Sequence, residues 1–244
     1  MSSADGNGHE PSARVKLFAD AGGLDALRAV KDHPRIEGFT TNPTLIRGAG
    51  VTTYEAFGRA VLEMIPDRPV SVGVVSDDLA EMERQARRIS SWGSNVYVKI
   101  PVTNTRGERC DAVVERLSAD GVRLNVTAVM TVEQVRWILD SLAPSVPCFV
   151  SIFAGRIADT GRDPVPLVRD AANLVNGRAE VALIWASPRE ILNVSQAEAA
   201  GCHVITLTPD LIAKLALAGK DLERFSLETV QMFHRDALAA GFEI

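Results

Sequence analysis

The stretch Val96-Tyr-Val-Lys-Ile-Pro-Val102 decides the fold, because its two faces ask for different surroundings. Successive strand side chains point to opposite sides, so Val96, Val98 and Ile100 share one face and Tyr97, Lys99 and Pro101 the other. If the aliphatic face packs on helices, Lys99 points into an interior that must tolerate an amine. A parallel sheet closed into a barrel supplies both environments, with helices outside and polar side chains gathered where the strands end.

Outward from that strand the chain repeats one alternation. Further strands are expected at Lys16–Ala19, Gly38–Thr41, Val70–Val75, Leu124–Met130, Cys148–Phe153, Val181–Trp185 and Val204–Thr208, with helical periodicity between them. In 78–92, Leu79, Met82, Ala86 and Ile89 fall on one helical face and Glu81, Arg84, Gln85 and Arg88 largely on the other. Thr131 is placed to cap a helix, Asp163-Pro and Ser187-Pro put proline in a first turn, and Gly121 and Gly201 close helices. Eight such units fit an α/β (β/α)8 TIM barrel with an additional C-terminal helix over 226–240. A doubly wound open sheet uses the same alternation and is the alternative. Residues 1–14 read as a disordered N-terminal tail, and 15–244 as a single barrel domain.

Bulk properties narrow the function classes. A net charge of −5 argues against nucleic-acid and anionic-membrane partners. No apolar run approaches the roughly 20 residues of a membrane span, and the first dozen residues lack the apolar core of a signal peptide. Cys110, Cys148 and Cys202 form no CxxC pair and read as buried small hydrophobes in a reducing, cytoplasmic setting. The four histidines show no ligand spacing, so no metal is assigned. GxGxxG and Walker motifs are absent.

In a barrel, the polar residues at strand ends meet at one mouth. Here they are Asp20, Thr40, Thr41, Asn42, Lys99, Thr103, Asn104, Asn125, Thr127, Ser151, Arg156 and Thr208. The chain has 21 arginines and only five lysines, so a lysine between Val98 and Ile100 is not generic surface charge. A partly desolvated amine is the species that attacks a ketone at neutral pH; an ion pair of Lys99 with Asp20 is the competing reading. An iminium on Lys99 would act as an electron sink for cleavage of a neighbouring carbon–carbon bond. Asp20 is then the candidate for taking the hydroxyl proton, unless it only caps the helix starting near Gly23. Asn42 can bind a substrate hydroxyl or simply shape the Asn-Pro turn. Ser151 and Arg156 suggest a phosphate site where a loop follows a strand.

The stretches Lys16-Leu-Phe-Ala-Asp20, Phe39-Thr-Thr-Asn-Pro-Thr-Leu-Ile46, Val96-Tyr-Val-Lys-Ile-Pro-Val-Thr103, Leu124-Asn-Val-Thr127 and Ser151-Ile-Phe-Ala-Gly-Arg-Ile157 together resemble the transaldolase family, in its short form with the fructose-6-phosphate aldolases. The resemblance runs in order from about Val15 to the C-terminus. It implies a (β/α)8 barrel, no metal or organic cofactor, a homo-oligomer, and transfer of a dihydroxyacetone unit from a ketose-phosphate donor to an aldose-phosphate acceptor. It gives Lys99 the Schiff base, Asp20 the acid–base role and Thr127 the catalytic water, all three catalytic. Asn42, Asn125, Ser151, Phe153 and Arg156 become substrate-binding positions. Phe153 matches the phenylalanine of transaldolases, where the aldolases carry tyrosine.

Two departures stand out. Gly73 occupies the place of the family's glutamate or glutamine, and Asp77 or Asp78 could reach in from the next loop. Ala186 replaces a basic residue, leaving Arg189 or Lys214 to supply a cation. Cleavage and addition with free dihydroxyacetone, or non-catalytic sugar-phosphate binding, are the alternatives to transfer.

Overall fold

The computed structural model describes residues 14–242; the expected tail lies outside them except for Arg14. Eight parallel strands close into a barrel in sequence order, β8 pairing with β1. They are β1 (Lys16–Asp20), β2 (Ile36–Thr40), β3 (Val70–Gly73), β4 (Val96–Pro101), β5 (Leu124–Val129), β6 (Cys148–Ile152), β7 (Val181–Trp185) and β8 (Val204–Leu207). Between them lie α1 (Leu24–Val30), α2 (Pro43–Gly48), α3 (Tyr54–Met64), α4 (Leu79–Ser90), α5 (Asp111–Ala119), α6 (Val132–Ser141), α7 (Ala154–Ala158), α8 (Val165–Val175) and α9 (Leu192–Ala199). This is the (β/α)8 barrel, and the open sheet is excluded by the β8–β1 pairing.

The barrel wall follows the alternation read from β4. Val98, Ile100, Val126, Val150, Leu183 and Trp185 are buried on the helix side. On the inner side Phe18, Phe149, Ile184 and Val204 form an apolar plug with Tyr97 packed against it. Phe149 meets Phe18 edge-on at 5.5 Å and Tyr97 at 4.3 Å between ring centroids. Gly38 makes this plug possible: a Cβ there would lie 2.5 Å from the Phe18 ring. Ala186 belongs to the same cluster and Phe153 packs against it, so the plug extends past the C-terminal ends of β7 and β6.

Local signals hold at most boundaries. Thr131 forms a capping box with Gln134, and Gly121 and Gly201 follow helices with positive φ. Two expectations fail. The third strand ends at Gly73 and not Val75. Ser187-Pro188 opens a turn and not a helix, because Ser187 takes φ 61° and α9 begins only at Leu192.

The residues up to Ile212 form one compact unit, and those from Ala213 a second. The first ends within α10 (Pro209–Lys214); the second carries a 3-10 turn at Leu215–Leu217 and α11 (Leu222–Ala240), the additional C-terminal helix. Asp221 caps α11 and Gly241, at φ 66°, closes it. Among the described residues no helix is long and apolar enough to cross a membrane.

Candidate active site

Lys99 stands beside Gly73 across β3–β4 and beside Asn125 across β4–β5. Its Nζ donates to the Thr41 carbonyl at 2.7 Å, so the hydrogen bond it makes is to backbone and not to Asp20. Burial pushes the proton affinity of this amine below the ordinary lysine value, and the Asp20 charge partly opposes that. The side chain therefore has the property required of a nucleophilic amine: a smaller cost of shedding its proton.

Asp20, at the end of β1, accepts from Thr40 Oγ1 at 2.9 Å and from Asn42 Nδ2 at 3.0 Å. It does not cap α1, whose N-cap is Gly23. Asn42 does two things at once: its Oδ1 caps α2 by accepting from Leu45 N at 2.9 Å, and its amide holds the Asp20 carboxylate. The turn-shaping and polar readings of Asn42 thus coexist. A groove of about 1050 Å³ opens beside Asp20, with Gly22, Leu45, Phe57 and Thr208 among its walls.

Behind Lys99 lies a buried polar layer. Asn125 Nδ2 donates to Ser71 Oγ at 2.9 Å, and Ser151 Oγ donates to Asn125 Oδ1 at 2.7 Å. Ser151 is 3% exposed and is joined to Asn125, not to Arg156. Thr127, two residues beyond Asn125 and so on the same face, keeps its buried Oγ1 without a protein partner. The residue after it, Ala128, adopts φ 62° where the β5–β6 register shifts. A left-handed non-glycine residue is uncommon, and here it bends the strand next to the free hydroxyl.

Phe153 caps the start of α7, and Arg156 lies exposed with its guanidinium 5.8 Å from the Phe153 ring. Arg189 does not replace the missing base at Ala186. Its Nε donates to Asp159 Oδ1 at 3.0 Å and a second nitrogen to Oδ2, so its charge is already matched, and it holds the Asp159 carboxyl below the usual range. Asp77 and Asp78 do not reach Lys99 either. Asp77 accepts from Thr105 N and Oγ1 at 2.7 and 2.6 Å, and Asp78 caps α4.

The structure adds groups to which the sequence reading assigns no role. Thr40 and Ser71 hold Asp20 and Asn125, the Thr41 carbonyl holds Lys99, and Tyr54, at the start of α3, bonds the backbone of Gly73. Thr40 stands among the polar strand-end residues without a role, alternation along β3 could have flagged Ser71 as inward, and nothing in the sequence singles out Tyr54.

Comparison with known proteins places the chain in a family. The family model described as transaldolase/fructose-6-phosphate aldolase matches residues 17–244. A probable transaldolase of Dehalococcoides mccartyi is 33% identical over 79% of this chain and 86% of its own. One from Streptococcus equi subsp. equi is 33% identical over 82% and 90%, and probable transaldolase 2 of Listeria monocytogenes is 31% identical over 86% and 94%. Among solved structures, one described as native KDPGal superposes with TM-score 0.54 at 15% identity, covering 93% of this chain and 98% of that one. A designed cube-shaped, porous protein cage gives TM-score 0.56 at 14% identity, covering 94% and 81%. Those two likenesses speak to the fold alone. The family match and the relatives together carry the assignment: this chain belongs to the transaldolase/fructose-6-phosphate aldolase family.

Proposed function

We propose that the protein is a transaldolase that works through a Schiff base on Lys99. The observation that carries this is a buried amine of lowered proton affinity, held at the rim of the barrel and acted on by the Asp20 carboxylate. Neutral Lys99 adds to the ketone of a ketose phosphate, and the carbinolamine, taking up one proton from solvent, loses water to leave an iminium. Asp20 takes the proton of the C4 hydroxyl as the C3–C4 bond breaks, its electrons passing into the iminium to give an enamine. The aldose phosphate departs. The enamine then adds to the carbonyl of an acceptor aldose phosphate, Asp20 returns the proton to the new hydroxyl, and water releases the product from Lys99.

The other residues are assigned around these steps. The unpartnered hydroxyl of Thr127 suits a hold on the water that is lost and regained. Asn42 keeps Asp20 in place and presents its amide to substrate hydroxyls, Asn125 and Ser151 stiffen the wall behind Lys99, and Arg156 beside Phe153 takes the phosphate. Gly73 and Ala186 leave the choice of sugar to other contacts, and Phe153 favours transfer over release of free dihydroxyacetone. Apolar side chains exposed along α11 support a homo-oligomer.

Borohydride trapping tests the reading. Incubation with a ketose phosphate and borohydride should leave a reduced dihydroxyacetone adduct on the Lys99 peptide, and Lys99→Arg should abolish it. No adduct across a panel of ketose phosphates would overturn the proposal. Turnover that does not require an aldose-phosphate acceptor would assign the chain to aldol cleavage instead.

A further inference from the structure

Parallel strands bond through evenly spaced rungs, and between β2 and β3 those rungs can be followed to the point where they stop. Phe39 N donates to Pro69 O at 2.8 Å and Thr41 N to Ser71 O at 3.1 Å. The next two rungs would be Gly73 N to Thr41 O, and residue 43 N to Gly73 O. Neither forms. Residue 43 is proline and has no N–H. The Thr41 carbonyl accepts from Lys99 Nζ at 2.7 Å. Both stranded groups of Gly73 are taken by one phenol: Gly73 N donates to Tyr54 Oη at 3.1 Å, and Tyr54 Oη donates to Gly73 O at 2.7 Å.

We infer that Tyr54 is a positioning residue for Lys99. By satisfying the Gly73 amide it keeps that donor off the Thr41 carbonyl, which is left free to hold the Lys99 amine at the rim. Buried polar groups seek partners, so without the phenol the Gly73 N–H turns to its ladder partner, Thr41 O, and competes with Lys99 for it. A side chain at position 73 would not block this arrangement, since a Cβ there sits 3.7 Å from both Lys99 Cβ and Tyr54 Oη. The clasp is thus independent of the missing glutamate, and it rests on Lys99 being the reacting amine.

The test reads Lys99 without using a sugar. Reductive methylation with formaldehyde and cyanoborohydride, followed by peptide mass spectrometry across about pH 6 to 10, gives a midpoint for each of the five lysines. Around Lys99, β1 presents Asp20, the one charged group acting on it. The neighbouring polar side chains on β2, β3 and β5 (Thr40, Ser71, Asn125 and Thr127) and at the start of α2 (Asn42) do not titrate. Burial pushes the Tyr54 phenol up to about 12, so it stays protonated throughout the assay.

A carbonyl acceptor favours the ammonium form, so sharing it lowers the proton affinity of the amine. Tyr54→Phe should therefore move the Lys99 midpoint down by about half a pH unit or more, the other four lysines staying put. A Lys99 midpoint that stays or rises overturns the inference. Should Tyr54→Phe fail to fold, amide exchange in the wild-type protein decides: slow exchange at Gly73 supports the bond to Tyr54, and exchange as fast as in the following loop overturns it. If the wild type traps no sugar but Tyr54→Phe still shifts the Lys99 midpoint, the transfer reading falls and the hold of Tyr54 on the Lys99 amine remains, without its part in that reaction.

Discussion

A lysine taken out of water holds its proton less tightly than one in the unfolded chain, and Lys99 is such a lysine. Over the range between its folded and unfolded values the unfolded chain binds more protons, so this group makes stability rise with pH until about 10.4. At neutral pH its burial is a cost. Lys99→Met should therefore abolish adduct formation yet stabilise the protein by roughly 0.5–2 kcal/mol at pH 7, as urea denaturation would report. That gain should shrink as the pH is raised toward 10; a gain independent of pH would refute the account. Asp20→Asn should lower turnover by about 100- to 10,000-fold in steady-state assays while leaving Lys99 able to form an imine, since the proton acceptor is lost and the amine remains. Lys99 itself was legible because an amine in an aliphatic strand has few explanations. Its partner was not: backbone carbonyls carry no sequence signature, and the amine bonds Thr41 instead of forming the competing ion pair with Asp20.

The elements were the most legible part, because each strand is apolar on its helix side and helices such as α4 keep one apolar stripe. Where the reading failed, the cause is a local conformation set by packing. The Ser187-Pro188 step is one case, since a positive φ at serine cannot be foreseen from its neighbours. The same turn presses on α7: a Cβ at Gly155 would lie 1.5 Å from the Ser187 carbonyl oxygen. Position 155 is therefore fixed as glycine by the loop after β7, and α7, which carries Arg156, is held by that contact. Gly155→Ala should lower stability by about 1–3 kcal/mol. It should also raise the KM for phosphorylated sugars more than that for their unphosphorylated counterparts, because the displaced element bears Arg156, the proposed phosphate ligand. Equal changes for both substrates would argue against Arg156 in that role. Tyr54 was illegible for a related reason, since a tyrosine opening an amphipathic helix looks like ordinary core until the ladder beside it is traced.

For the whole molecule, closure of the sheet removes all edges from the barrel, so any surface available for self-association must lie elsewhere. On α11, Leu227, Val230 and Phe233 are spaced at three-residue steps and are 57%, 59% and 62% exposed. Apolar side chains grouped in this way mark association surfaces. Replacing Leu227 and Phe233 together by aspartate should reduce the mass measured by sedimentation without lowering the amount of β structure seen by circular dichroism. A wild-type protein that sediments as one chain would exclude the homo-oligomer.

The phenol of Tyr54 takes up both ladder groups of Gly73 at the one place where the backbone rungs between β2 and β3 stop. A hoop fastened by a clasp can be adjusted there without being remade: a single change at position 54 alters how the rim is tied while the other seven junctions keep their own bonds. The barrel thereby separates what holds it together from what sets its reactive amine. A lineage could retune the chemistry of Lys99 from a helix that contributes nothing to the sheet.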